Sequence, residues 1–328
     1  MKVLLVYPEF PDTYWSFRHA LSFEKKRATF PPLGLLTISS LLPDSWQRRL
    51  IDVNVETLKL DDIQWADVIF LSAMLVQKES LQQIVELCKA EGKCVVVGGP
   101  YITTNMEALP LADHFVLGEA ETILSELISD LEQGKAKRFY KAPERPSLTI
   151  SPIPDFGLIK LKYYSAMAIQ YSRGCPFQCE FCDIIEIYGR VPRTKTNGQL
   201  LAELDALLKI GWQGVIFIVD DNFIGNKRNV KLMLPELAKW QKLHNYPFTF
   251  ITEASLNLAE DEKLLEGMQQ AGFRHVFLGI ETPVKASLKE AQKPQNLRGD
   301  LLDSVRKIQG YGMEVMAGFI VGFDNDPE

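Results

Sequence analysis

Short apolar runs alternate with amphipathic stretches along most of the chain. Over the first 134 residues the runs at 2–7, 49–55, 67–72, 93–97 and 114–117 predict strands. Stretches at 33–42, 78–91, 105–109 and 121–133 predict helices between them. The last of these carries Ile123, Leu124, Leu127, Ile128 and Leu131 on one face. Strands and helices in strict alternation predict an open, parallel, doubly wound sheet of the Rossmann-like, flavodoxin type. Such sheets bind ligands beyond the carboxyl ends of their strands. The segments expected there are residues 8–15, residues 72–75, Gly98-Gly99-Pro100 and Gly118-Glu119.

Residues 135–165 break the pattern. Pro143, Pro146, Pro152 and Pro154 deny donors to a ladder and interrupt helices, so this stretch reads as a linker. A second series follows over 166–328, with strands expected at 166–171, 214–220, 249–254, 275–280 and 316–321. Its helices are expected at 199–210, 229–243, 261–271 and 298–310, with leucine stripes such as Leu200, Leu201, Leu204, Leu207 and Leu208. Gly211, Gly272 and Gly312 follow three of these helices as stop signals. Repeated βα units of this kind curl into a barrel or part-barrel whose chemistry sits at the strand ends. The fold class expected is α/β: a doubly wound domain, a linker and a partial barrel. The chain stops directly after a strand and a turn, as a truncated barrel would.

Composition narrows the function classes. With 328 residues and 46% hydrophobic content, two ordinary cores can be buried. Thirty-six basic residues against 42 acidic ones, without a basic block, exclude nucleic acid as a favoured partner. No apolar run is long enough for a transmembrane segment, and Pro8 and Glu9 interrupt the apolar start too early for a signal peptide. Five cysteines, three of them clustered, point to a reducing, cytoplasmic setting. Cys88 and Cys94 fall on a predicted helix and strand start and read as packing residues.

The clustered cysteines are Cys175, Cys179 and Cys182, spaced C-x3-C-x2-C just after an apolar run. Three close thiolates repel unless cations lie between them. A structural zinc site needs a fourth ligand nearby, but the next histidine is His244 and no cysteine follows Cys182. An iron–sulfur cluster with one iron left open by the protein fits better than a zinc or disulfide knuckle.

This motif, with Phe181 as its aromatic, resembles that of the radical S-adenosylmethionine superfamily. The resemblance implies a [4Fe-4S] cluster on Cys175, Cys179 and Cys182 whose open iron takes S-adenosylmethionine. An electron from the cluster then releases a 5′-deoxyadenosyl radical, with flavodoxin or ferredoxin as a fitting reductant. Asp220, Asp221 and Asn222 stand where the family has G-G-E and imply a grip on the ammonium group. Glu253 or Glu281 implies contacts to the ribose hydroxyls, against the alternative of structural ion pairs. Gly318 and Gly322 resemble the G-x-I-x-G-x-x-E stretch that packs on adenine, with Asp324 replacing its Glu. Five βα units are visible where the superfamily uses six. Arg190, Arg193 and Lys195 follow the cluster loop and either steer a substrate carboxylate or form a solvated face.

The first half resembles the cobalamin (B12)-binding domain found ahead of many such cores. Val97-Gly98-Gly99-Pro100 and Val116-Leu117-Gly118-Glu119-Ala120-Glu121 match its V-G-G-P and V-x-G-E-x-E stretches. Ser72 opens an imperfect S-x-L element, Ser72-Ala73-Met74. The cobalt-ligating D-x-H-x-x-G is absent, and His19 lacks its Asp and Gly neighbours, so cobalt would have no protein histidine below it. Several stretches, among them Tyr7-Pro8-Glu9-Phe10-Pro11 and Asp220-Asp221-Asn222-Phe223, resemble the hopanoid C-2 methylase-like group. That likeness implies methyl transfer to an unactivated carbon of a lipid, tetrapyrrole or other apolar small molecule. Oxidative cyclisation or rearrangement, and a non-enzymatic corrinoid or redox sensor, are the alternatives.

Overall fold

The first sheet forms around β1 (Lys2–Tyr7), in which Val3, Leu4, Leu5 and Val6 are completely buried. A strand covered on both faces must be apolar throughout, which is why no period-two alternation marks it. The structure, a computed structural model, describes residues 1–13 and 16–326. Flanking β1 are β2 (Gln47–Asp52), β3 (Val68–Ser72), β4 (Cys94–Gly98), β5 (His114–Leu117) and β6 (Phe139–Lys141). Their spatial order is 2-1-3-4-5-6, and every pairing is parallel. The order reverses between β1 and β3, so the ligand crevice of such a sheet lies beyond the carboxyl ends of those strands.

Helix Lys78–Ala90 buries Leu81, Ile84, Val85 and Cys88 in the core that covers this sheet. Burial pushes the Cys88 thiol up to about 12 and that of Cys94 to about 11, which keeps both protonated and inert. Several features depart from the expected pattern, among them two short helices, Arg18–Phe23 and Leu60–Trp65, that no periodicity announced. The helix expected at 105–109 instead occupies Pro100–Thr104, because Pro100 suits a first helical turn; only a 3-10 turn, Met106–Ala108, follows. The proline-bearing segment 135–165 contributes β6, three residues with too little periodicity to be read from sequence.

The second sheet is ordered β13-β12-β11-β10-β7, made of β7 (Ala166–Ile169), β10 (Gly214–Ile218), β11 (Phe248–Ala254), β12 (Phe273–Glu281) and β13 (Glu314–Phe319). β10 to β13 pair in parallel, with helices Asn197–Lys209, Lys227–Leu243, Glu262–Ala271 and Leu301–Gly310 between the strands. Thr196 caps the first of these, its hydroxyl accepting from the Gln199 N–H, and Gly272 ends the third in a left-handed conformation. A small antiparallel pair, β8 (Ser172–Arg173) with β9 (Arg193–Thr194), closes the base of the loop bearing the three cysteines. By its internal contacts the chain divides into residues 1–146 with 150–167, and residues 147–149 with 168–328. Among the described residues no helix is long and apolar enough to cross a membrane.

Candidate functional site

The cysteine loop is fixed at its root by backbone bonds. Gly174 adopts φ +98°, and a side chain there would meet the Gly189 carbonyl oxygen at 2.8 Å. Cys175 N–H donates to that same carbonyl at 3.2 Å, and Cys182 N–H to the Cys179 carbonyl at 3.1 Å. All three cysteines are free thiols with partly open surfaces. Burial, and then the neighbouring cysteines among other groups, pushes the thiols of Cys175 and Cys182 upward, so taking up metal must displace protons. Among the described residues no three His, Cys, Asp or Glu side chains converge tightly enough for one metal ion. Side-chain amides face two of the sulfurs: Asn222 Nδ2 lies 3.9 Å from Cys175 Sγ, and Gln295 Nε2 lies 3.6 Å from Cys179 Sγ. Such donors stabilise thiolates.

Asp220, Asp221 and Asn222 follow β10 and reach this loop. Asp220 is 1% exposed and accepts from Tyr171 N–H at 2.7 Å and Ser172 Oγ at 2.6 Å. Asp221 accepts the Gly174 N–H at 3.0 Å. Asn222 bonds Ser255 at the end of β11, as well as facing Cys175. Glu253, near the end of β11, is raised to about 7 by burial and then by the charges of Asp221 and Asp220. Glu281, the last residue of β12, takes φ +66° and is ion-paired with the buried Lys293. Lys293 Nζ also stands 5.7 Å from the centroid of the Phe181 ring. Gly318 lies within β13, and Gly322 lies in the following turn at φ +102°. Parallel pairing therefore gathers the cysteines, Asp220–Asn222, Glu253 and Glu281 around the carboxyl ends of one sheet.

Burial also raises Asp220 to about 7, against an ordinary value of 3.8. The folded chain thus holds protons on Asp220 and Glu253 that the unfolded chain has released between about pH 4 and pH 7. This contribution to stability is complete below that window and is lost as pH rises through it. The metal-free protein is expected to unfold at lower urea concentration at pH 8 than at pH 5.5, with Asp220→Asn flattening the slope. Equal midpoints at the two pH values would contradict this.

The basic run after the loop is not the open patch that residue types alone allow. Lys195 is 5% exposed and ion-paired with Glu203, itself 1% exposed. Arg193 donates to the Tyr188 carbonyl at 3.0 Å, leaving Arg190 as the exposed charge of the three. Residues 285–296 bore no motif, yet they brace the loop from its other side. The Ala291 carbonyl accepts the Glu180 N–H at 3.1 Å, and Gln178 Nε2 donates to Gln292 Oε1 at 3.1 Å. A cavity of about 480 Å³ between them is lined by Phe177, Gln178, Arg190, Lys289, Gln292 and Leu297, among others. A six-residue helix, Lys285–Glu290, and a 3-10 turn, Pro294–Asn296, are too short for periodicity to reveal.

At the first sheet the other candidate residues share one edge. Ser72 ends β3 in register with Gly98 at the end of β4, and Gly118-Glu119 follow β5. Gly99 takes φ +93°, ψ 177°, and a side chain there would come within 2.5 Å of Ser72 Oγ. Gly118, at φ +81°, has open space where a side chain would be, whereas the Glu119 side chain is buried. Met74, Leu75 and Val76 are each at least half exposed beside Ser72. Bare backbone and an apolar ledge suit a large, flat ligand such as a corrin. His19 is 93% exposed and 3.9 Å from Asp12; Tyr14 and Trp15, from the segment after β1, lie outside the described residues. Gly99→Ala places alanine in a conformation nearly reserved for glycine, expected to cost about 1–3 kcal/mol before the collision with Ser72 is counted. Urea unfolding measures it, and a variant as stable as wild type would refute the strain.

Comparison with known proteins finds a family profile for each half of the chain. The profile of the Radical SAM superfamily matches residues 169–328, and that of the B12 binding domain matches residues 24–128. An uncharacterised methyltransferase of Synechocystis is 47% identical over 330 residues, covering 100% of this chain and 62% of that protein. The hopanoid C-2 methylase of Rhodopseudomonas palustris is 37% identical over 330 residues, covering 99% and 63%. The chain thus spans somewhat under two thirds of the length of these relatives. The radical S-adenosylmethionine methyltransferase TsrM from Kitasatospora setae, solved with cobalamin and a [4Fe-4S] cluster, superposes with a TM-score of 0.75 at 15% identity, over 96% of this chain and 66% of that one. At that identity the likeness carries the fold. The radical domain implies a [4Fe-4S] cluster and S-adenosylmethionine, and the first domain implies cobalamin, the groups that the cysteine loop and the glycine-edged crevice fit. The chain belongs to the radical S-adenosylmethionine superfamily, in the form that carries a B12-binding domain ahead of the radical core.

Proposed function

We propose that this protein is a cobalamin-dependent radical S-adenosylmethionine methyltransferase acting on an unactivated carbon of an apolar small molecule. The observation that carries the proposal is the three-cysteine loop, two of whose sulfurs face amide donors at the carboxyl ends of a parallel sheet, in a chain that also holds a B12-binding domain. The hopanoid C-2 methylase likeness supports a polycyclic lipid as the substrate class. In this reading residues 1–134 bind the corrinoid through Ser72, Gly98, Gly99 and Gly118, and residues 166–328 form the radical core. When bound, the cluster supplies the electron that cleaves S-adenosylmethionine, and the corrinoid supplies the methyl group.

The chain's own residues hold and shield. Cys175, Cys179 and Cys182 ligate, and Asp220 and Asp221 lock the loop root through Tyr171, Ser172 and Gly174. Glu253 faces the same strand ends with a carboxyl poised near neutrality, suited to accept a hydrogen bond from a ribose hydroxyl or an ammonium. Lys293 neutralises Glu281 beside Phe181. A flavodoxin- or ferredoxin-type protein is the fitting reductant.

The test is anaerobic reconstitution with iron, sulfide and hydroxocobalamin, then methyl-deuterated S-adenosylmethionine, reductant and a host lipid and pigment extract. 5′-Deoxyadenosine and S-adenosylhomocysteine are expected to rise together with a deuterium-labelled product. Deoxyadenosine without homocysteine product or label would replace methyl transfer with cyclisation or rearrangement. Neither nucleoside, with both groups bound, would favour a sensor.

A further inference from the structure

We propose that Gln295 positions Cys179 and raises the reduction potential of a cluster held on this loop, an inference that rests on reading the three cysteines as cluster ligands. Gln295 is 5% exposed, and its Nε2 lies 3.6 Å from Cys179 Sγ. A thiolate sulfur only accepts, so the amide must present its N–H side to it. The Oε1 then points away and, among the described residues, finds no partner. A buried carbonyl left in that state is unfavourable, a penalty that an apolar side chain of the same size would not incur. Packing therefore does not account for a glutamine here; the N–H toward sulfur does.

Both flanks of Gln295 are anchored, so the donor is held in place in advance. Lys293, two residues before, is ion-paired with Glu281. Asn296, directly after, donates through Nδ2 to the carbonyls of Gly279 at 2.8 Å and Ile280 at 3.0 Å. Both anchors grip the end of β12, and the 3-10 turn Pro294–Asn296 is suspended between them. One-electron reduction adds negative charge to a cluster and its sulfurs. A fixed N–H donor stabilises the reduced form more than the oxidised form and raises the potential.

The sign separates this role from a structural one. Losing the donor lowers the potential, whereas a loosened loop that admits water stabilises the reduced cluster and raises it. Wild type, Gln295→Met and Gln295→Leu would be reconstituted anaerobically with iron and sulfide, without substrate. Their clusters would be titrated with a mediated one-electron reductant and followed by electron paramagnetic resonance. At a fixed ambient potential the ratio of reduced to oxidised cluster is expected to fall about tenfold in both variants, equivalent to about 59 mV for one electron. An unchanged or raised potential in a variant that holds its cluster would overturn the role given to Gln295. Wild type that folds but takes up no four-iron cluster would instead overturn the cluster reading beneath it.

Discussion

Cys179→Ala is expected to abolish cluster assembly while leaving the fold intact. Iron and acid-labile sulfide bound after reconstitution should drop from about four each per chain toward background. Reductive formation of 5′-deoxyadenosine should disappear with them. The fold is spared because the loop is held by backbone contacts: Cys175 N–H to Gly189, Glu180 N–H to Ala291 and Cys182 N–H to the Cys179 carbonyl. None of these needs the Cys179 side chain, whose sulfur is only partly covered. Circular dichroism and the unfolding midpoint should match wild type. Cys88→Ala gives the opposite pattern, since its thiol fills the first core: the cluster stays and stability falls. A full iron complement in Cys179→Ala would remove the cluster assignment, and a collapsed fold would mean that the thiol also has a packing role.

Lys195→Met carries the largest expected cost in stability. Glu203 would be left as a deeply buried carboxylate without its ion-pair partner, and one of its oxygens, Oε2, already has no hydrogen bond. Breaking a buried pair from one side costs about 3–5 kcal/mol, because the remaining charge has no water and keeps only the weaker attraction of Arg173. Burial already holds the Glu203 carboxyl above the usual range, with the lysine as the main group opposing it. The double variant Lys195→Met with Glu203→Leu removes both charges and should recover most of the loss. Urea unfolding at unchanged m-value measures both. A single variant within about 1 kcal/mol of wild type, or a double variant no better than the single, would contradict the account. Lys195 N–H also donates to the Tyr171 carbonyl, directly beside the β8–β9 pair. The single variant should therefore also lose its cluster faster to a chelator.

Much of this architecture was legible from residue order alone. A parallel strand buried on both faces is a continuous apolar run, and helix stripes recur every three or four residues; both are local properties that survive without coordinates. Three cysteines within eight residues stand out for the same reason: short spacing keeps the groups on one loop whatever the rest of the chain does. Gly99 and Gly118 could be placed at strand ends because glycine is the residue that such backbone conformations favour.

What each charged or amide side chain touches was decided by the tertiary structure. Asp220, Asp221 and Asn222 look like ligand-binding groups in sequence, and in the fold they also brace Tyr171, Ser172, Gly174 and Cys175, 47 to 49 residues earlier. Lys195 reads as one of three open charges, but it is buried against Glu203. Gln295 carries no motif and meets Cys179 across 116 residues of sequence. Hydrophobic periodicity is written by which face of an element is buried, and it repeats along the chain. A polar contact is made once, between two elements whose approach depends on every crossover between them, so no local pattern announces it. The residue order of this protein determines its elements, its two sheets and its cluster of three thiols; only the packed structure determines which side chains hold the thiol loop in place.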